Sequence, residues 1–140
     1  MSGFGMEEYR RHAHSVSSCK FHFVWCLKYR HPVLNVVEDD VRELFGETAD
    51  HFGHEILVLE IADDHVHLFV QTDPKHSPAD LARQFKSYSG KHLVERYPEI
   101  REAYFWGGGS WKVGYYVGTT GAVSEEVVER YIEETEHALE

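Results

Sequence analysis

Two apolar runs separated by two acidic residues limit the folds open to this chain. HEILVLEIA (54–62) and HVHLFVQT (65–72) both have strand composition, and Asp63-Asp64 leaves room only for a tight turn. The pair is expected as an antiparallel hairpin, which needs further strands and a cover to be stable. A period of two sorts the second run into Val66, Leu68 and Val70 on one face and His65, His67, Phe69 and Gln71 on the other. The aliphatic face should meet helices, which leaves the histidines on the opposite sheet surface.

The rest of the chain supplies both. SSCKFHFVWCLKYR (17–30) has the aromatic and β-branched content of a strand, and WKVGYYVGTT (111–120) reads as a last one. Residues 36–53 read as a helix, with Val37, Val41, Leu44, Phe45 and Phe52 on one stripe. Residues 77–98 read as another, opened by a Ser77 cap, Pro78 and a capping-box Asp80. After the joint GTTGAVS (118–124), Ser124 caps a final helix, SEEVVERYIEETEHALE. The order β-α-β-β-α-β-α predicts an α+β protein with a ferredoxin-like antiparallel sheet, helices packed on it and an appended C-terminal helix. A length of 140 residues fits one domain over 1–140, with 1–8 a disordered lead-in and 123–139 a mobile helix. Cys19 and Cys26 stand seven apart on one strand, so they point to opposite faces and are expected as free thiols.

No apolar run reaches membrane-spanning length, so the expected setting is the cytoplasm, with no membrane partner. A net charge of −10 argues at first sight against nucleic acid. Its distribution changes that. Residues 9–31 carry Arg10, Arg11, Lys20, Lys28 and Arg30 with no acid, and residues 74–96 carry Lys75, Arg83, Lys86, Lys91 and Arg96 against Asp80 and Glu95. On the second helix Arg83, Ser87, Gly90 and Lys91 share a face with Lys86 on its flank, suited to phosphates. In KYRH (28–31), Lys28 and Arg30 flank Tyr29, and aromatics among cations suit unstacked bases.

Two imidazoles two residues apart on a strand are close enough to chelate one cation, and neutral imidazole is a common ligand for divalent transition ions. The HxH spacing is equally that of a hydrogen-bonded surface pair, so further ligands must come from elsewhere.

Taken in order, CKFHFVWCLKYRHPVL, HVHL, FKSYSGKHL and WKVGYYVGTTGAVSEEVVERYIEET resemble the TnpA-type transposases of the insertion-sequence-200/605 group, HUH single-tyrosine enzymes. The likeness spans about residues 15–136. It implies metal ligands at His65 and His67 and a nucleophile at Tyr131, which otherwise reads as the edge of the last helix's apolar stripe. The family's third ligand is a glutamine one turn after the tyrosine. This chain has Thr135 there, a shorter and poorer ligand, which leaves Glu134, Thr135 and Glu136 open as the third ligand, with His137 weaker still. The resemblance further implies Mg²⁺ or Mn²⁺, single-stranded DNA hairpins as substrate, and a homodimer whose last helices complete composite active sites. The alternative is a decayed or domesticated DNA-binding relative.

Overall fold

The computed structural model describes residues 19–104, 106–107, 109–119 and 130. The expected lead-in, residues 120–124 of the joint, and all of the final helix but Arg130 lie outside the described residues. Strand β1 (Cys19–Cys26) is followed by helical turns at Lys28–Arg30 and Leu34–Val37, helix α1 (Glu38–Phe52), and the strands β2 (Glu55–Ile61) and β3 (His65–Thr72). Helices α2 (Pro78–Arg96) and α3 (Pro98–Ala103) come next, then β4 (Tyr116–Gly118). The four strands lie in the order β2-β3-β1-β4, with every pairing antiparallel. This is the ferredoxin-like α+β arrangement that the element order predicts.

The hairpin forms as its spacing requires. Ile61 pairs with Val66, and the Ala62 amide donates to His65 O at 2.9 Å, so Asp63 and Asp64 are the two turn residues. On α2 the Asp80 amide donates to Ser77 Oγ and the Ser77 amide to the Asp80 carboxylate, each at 3.1 Å, which satisfies two amides that the helix itself cannot. Helix α1 stops at Gly53, whose φ of 79° is open to glycine at little cost.

The helices cover one face of the sheet. Phe23 and Trp25 of β1, Leu27 just beyond it, and Val66, Leu68 and Val70 of β3 are fully buried against Val41, Leu44 and Phe45 of α1 and Leu81, Phe85 and Leu93 of α2. Each such side chain contributes roughly 1.5–3 kcal/mol by leaving water. Trp111 closes the core: its indole N–H donates to Ser89 Oγ at 2.8 Å, and a Cβ on Gly90 would meet its ring at 3.1 Å. The smallness of Gly90 therefore serves this packing. At the far end of β3, His54 donates its Nε2–H to Gln84 Oε1 and accepts from the Thr72 hydroxyl, each at 2.7 Å, tying strand to helix.

Three expectations need correction. The first strand ends at Cys26, because the Leu27 and Lys28 amides donate to Asp64 O and Ser110 O and the chain turns at KYR. The last strand is short: Trp111 makes one bridge to Leu27, and Gly114 at φ 100° breaks the run before Tyr116. The helix expected to reach residue 98 ends at Arg96, and Pro98 opens the unforeseen α3. Neither Cys19 nor Cys26 is in a disulfide.

Truncating Leu68 tests the placement of the core. Leu68→Ala should lower the unfolding free energy by about 2–5 kcal/mol, read from urea denaturation; a loss under about 1 kcal/mol would contradict a fully packed site.

Candidate active site on the histidine face of the sheet

The strand period that buries Val66 and Leu68 against the helices sends His65 and His67 to the opposite face of the sheet, both half-buried. Their ring centroids are 5.2 Å apart. Register adds their neighbours: Cys26 lies beside His65, and Val24 and Glu60 flank His67. A third histidine joins them. His22 sets its ring edge-on to His67 at 5.7 Å, and among the described residues neither of its ring nitrogens has a hydrogen-bond partner. Burial lowers the pKa of His67, helped by His65 and His22 and opposed by Glu60. Burial likewise lowers that of His22. Both effects favour neutral imidazole, the form that binds a metal.

The turn residue Asp64 completes this site. Its Oδ1 accepts from His65 Nδ1 at 2.8 Å, while Oδ2 accepts from Arg30 Nε at 3.0 Å and pairs with Arg30 Nη2 at 2.9 Å. Burial raises the Asp64 pKa, but the bond from His65 and the Arg30 guanidinium outweigh it and hold the carboxyl below its ordinary value. Arg30 reaches Asp64 from a strained loop. Tyr29 and Arg30 have φ of 59° and 52°, a region that costs a side-chain-bearing residue about 1–2 kcal/mol. Lys28 Nζ anchors the loop on Trp106 O at 2.7 Å, and the Tyr29 ring is left exposed.

The second basic island lies along α2. Arg83, Lys86, Ser87 and Lys91 line a cleft of about 580 Å³ whose other wall includes Trp111 and Lys112. Arg83, Ser87 and Lys91 are exposed. Lys86 also ties the two walls together: its ammonium donates to Lys112 O and Gly114 O, each at 2.8 Å. Burial, and then Lys112, lowers its pKa to about 8. Lys28 and Lys86 thus brace the same 106–114 segment from opposite sides, so the two islands are joined through it. Sequence reasoning missed His22, Glu60, Asp64 and this bracing. The DH step before HxH was the available signal for Asp64; nothing in the sequence marked the lysines as internal.

Tyr131, Glu134, Thr135, Glu136 and His137 lie outside the described residues. Among the described residues no group of three or more His, Cys, Asp or Glu is placed to hold a metal ion. The His65–His67 pair fits a cation in donor type and in having one ring already oriented, and its third ligand has to come from elsewhere.

The ferredoxin-like antiparallel sheet with helices on one face is shared with DNA transposases, as comparisons with known proteins show. The family model described as "Transposase IS200 like" matches residues 15–135. The ISDra2 transposase TnpA of Deinococcus radiodurans is 31% identical over 119 residues, 84% of this chain and 84% of its own. The transposase for insertion sequence element IS200 of Salmonella typhimurium is 27% identical over 126 residues, 87% of this chain and 82% of its own. A solved transposase structure from Deinococcus radiodurans R1 aligns with a TM-score of 0.75 at 30% identity, over 86% of this chain and 93% of that one. The REP-associated tyrosine transposase, solved bound to a REP hairpin, shares the fold at a TM-score of 0.54 and 13% identity, over 85% of this chain and 68% of that one. The chain belongs to the IS200-like transposase family.

The lowered pKa values of His22, His54 and His67 fix a pH dependence. The unfolded chain takes up protons on all three from about pH 6.5 downward, and the folded chain only at lower pH. The unfolded state therefore binds more protons, and stability falls with pH. The urea midpoint of metal-free protein should drop between pH 7.5 and 5.5; a constant or rising midpoint would contradict this.

Proposed function

We propose that the protein cleaves and rejoins single-stranded DNA at hairpin-bearing element ends through a 5′-phosphotyrosine on Tyr131. The observation that carries this reading is the His65–His67 pair, side by side on the sheet face away from the helix core, in a chain of this family. Tyr131 attacks the scissile phosphorus through its phenol oxygen, which gives up its proton as the bond forms. The 3′-oxygen leaves and takes a proton to become a free hydroxyl. Rejoining is the reverse: a 3′-hydroxyl on a new strand attacks the phosphotyrosine and the phenol is restored. The energy of the phosphodiester is kept, so no nucleotide is consumed.

A phenol with a pKa near 10 is a weak nucleophile at neutral pH, so the site must favour the attack. His65 and His67 would hold a divalent cation, Mg²⁺ or Mn²⁺, with Glu134, Thr135 or Glu136 as third ligand; when bound it supplies Lewis-acid polarisation of the phosphate. The exposed Arg83 and Lys91 contact phosphates, Ser87 lies between them, and the exposed Tyr29 offers a stacking surface for an unpaired base. The REP hairpin bound by one fold neighbour supports a folded single strand as the ligand. In this reading 1–140 is one working domain. Two copies form a homodimer in which the 123–139 helix, swinging on Gly118 and Gly121, completes a composite site. The enzyme then acts in the cytoplasm and joins the nucleoid when bound to DNA.

One sequence feature favours a second reading. Thr135 stands where the family has its glutamine ligand, as in a relative that keeps DNA binding and has lost strand transfer.

Hairpin single-stranded DNA incubated with Mn²⁺ separates the two. The wild type should form a covalent adduct that Tyr131→Phe abolishes while binding survives; Tyr88→Phe, Tyr115→Phe and Tyr116→Phe should keep it. His65→Ala or His67→Ala should also abolish the adduct. An adduct persisting in Tyr131→Phe would sink the assignment, and binding without any wild-type adduct would favour the second reading.

A further inference from the structure

We propose that Arg30 and Asp64 are positioning residues for His65: the guanidinium fixes the Asp64 carboxylate, the carboxylate takes the Nδ1–H, and Nε2 is left as the ring's ligand atom. This rests on the reading of His65 and His67 as a cation site. It moves Arg30 from a phosphate contact, as its sequence suggests, to a support of the site.

A carboxylate only accepts hydrogen bonds, so the nitrogen 2.8 Å from Asp64 Oδ1 carries the proton. In neutral imidazole the remaining nitrogen then has the lone pair. The other carboxylate oxygen, Oδ2, is gripped at 3.0 and 2.9 Å by two nitrogens of one guanidinium, so the carboxylate plane is fixed as well as its position. Metal-binding histidines commonly depend on such a partner on the second ring nitrogen.

The local backbone is arranged for this pairing. Asp64 O accepts from the Leu27 amide at 2.9 Å and Asp63 O from the Leu34 amide at 2.8 Å, so the hairpin turn is bolted to the 27–34 segment. That segment holds two successive non-glycine residues at positive φ, and the second of them is Arg30. Strain of this kind gathers at functional sites. The Arg30 and Asp64 side chains are 20% and 12% exposed, and an ion pair so far out of water is weak evidence for stability, which leaves orientation as its use. Among the described residues, a carboxylate meets a ring nitrogen of His65 and none meets one of His67. The effect should therefore be confined to one ring of the pair.

Long-range ¹H–¹⁵N correlation spectra of ¹⁵N-histidine-labelled, metal-free protein test this. Wild-type His65 should be the Nδ1–H tautomer. Asp64→Ala and Arg30→Gln should shift it towards Nε2–H and leave His67 unchanged. Both should weaken Mn²⁺ binding, measured by titration calorimetry, by about 10- to 100-fold. Asp64→Asn, which keeps an accepting oxygen, should restore part of the loss, and metal-free binding of a hairpin strand should hold. Arg30→Gln leaves the turn intact, so it decides the matter if Asp64→Ala unfolds. An Nε2–H tautomer in the wild type would overturn the proposal. So would Arg30→Gln with unchanged tautomer and Mn²⁺ affinity but weaker DNA binding, the mark of a phosphate contact. Absence of any Mn²⁺ effect on His65 and His67 in the wild type would instead overturn the cation site, with the tautomer still deciding the Arg30–Asp64 role.

Discussion

The pairing of β3 with β1 controls both halves of this protein. Its register sets Val66 beside Trp25 and Leu68 beside Phe23 on the helix side, and His67 beside Val24 on the other. A slip of one residue would turn the histidines into the core and expose the aliphatics. The hydrophobic demand for burying Val66, Leu68 and Val70 is thus also what holds His65 and His67 outward. Core and candidate site are two faces of one eight-residue strand. Neither can be displaced without the other.

Around that strand, charges are used as fasteners as much as for recognition. Arg30 closes on Asp64, and Lys28 and Lys86 close on backbone carbonyls of the 106–114 segment. An ammonium half out of water needs such acceptors, because an unpaired buried charge is costly. The cations left exposed on α2, Arg83 and Lys91, border the cleft walled by Trp111 and Lys112. The segment that the lysines brace therefore links the KYR loop beside the histidines to the basic face of α2. An acidic protein can in this way present a basic path without a basic composition.

The sheet, its order of elements and the outward histidines were legible in the sequence because they follow from periodicity and from a two-residue turn. The capped start of α2 was legible because Ser77, Pro78 and Asp80 act locally. What escaped was set by tertiary partners. KYR reads as strand, yet Leu27 and Lys28 bond to Asp64 and Ser110, far along the chain. WKVGYY reads as strand, yet the indole of Trp111 is claimed by Ser89 and Gly90 of α2. Lys86 and Arg30 read as free cations, and no local pattern shows where their charges end. The tyrosine and its neighbouring ligand candidates rest on the family's motif, since an amphipathic helix with a tyrosine at its stripe edge is by itself an ordinary packing element.

The account stands or falls on a cation held between His65 and His67. Anomalous scattering from crystals grown with Mn²⁺ measures it directly. The account predicts a peak within coordination distance of one ring nitrogen of each histidine, Nε2 in the case of His65, with a last-helix oxygen completing the set. No peak at His65 and His67 at saturating Mn²⁺, or a peak only elsewhere in the molecule, would contradict it.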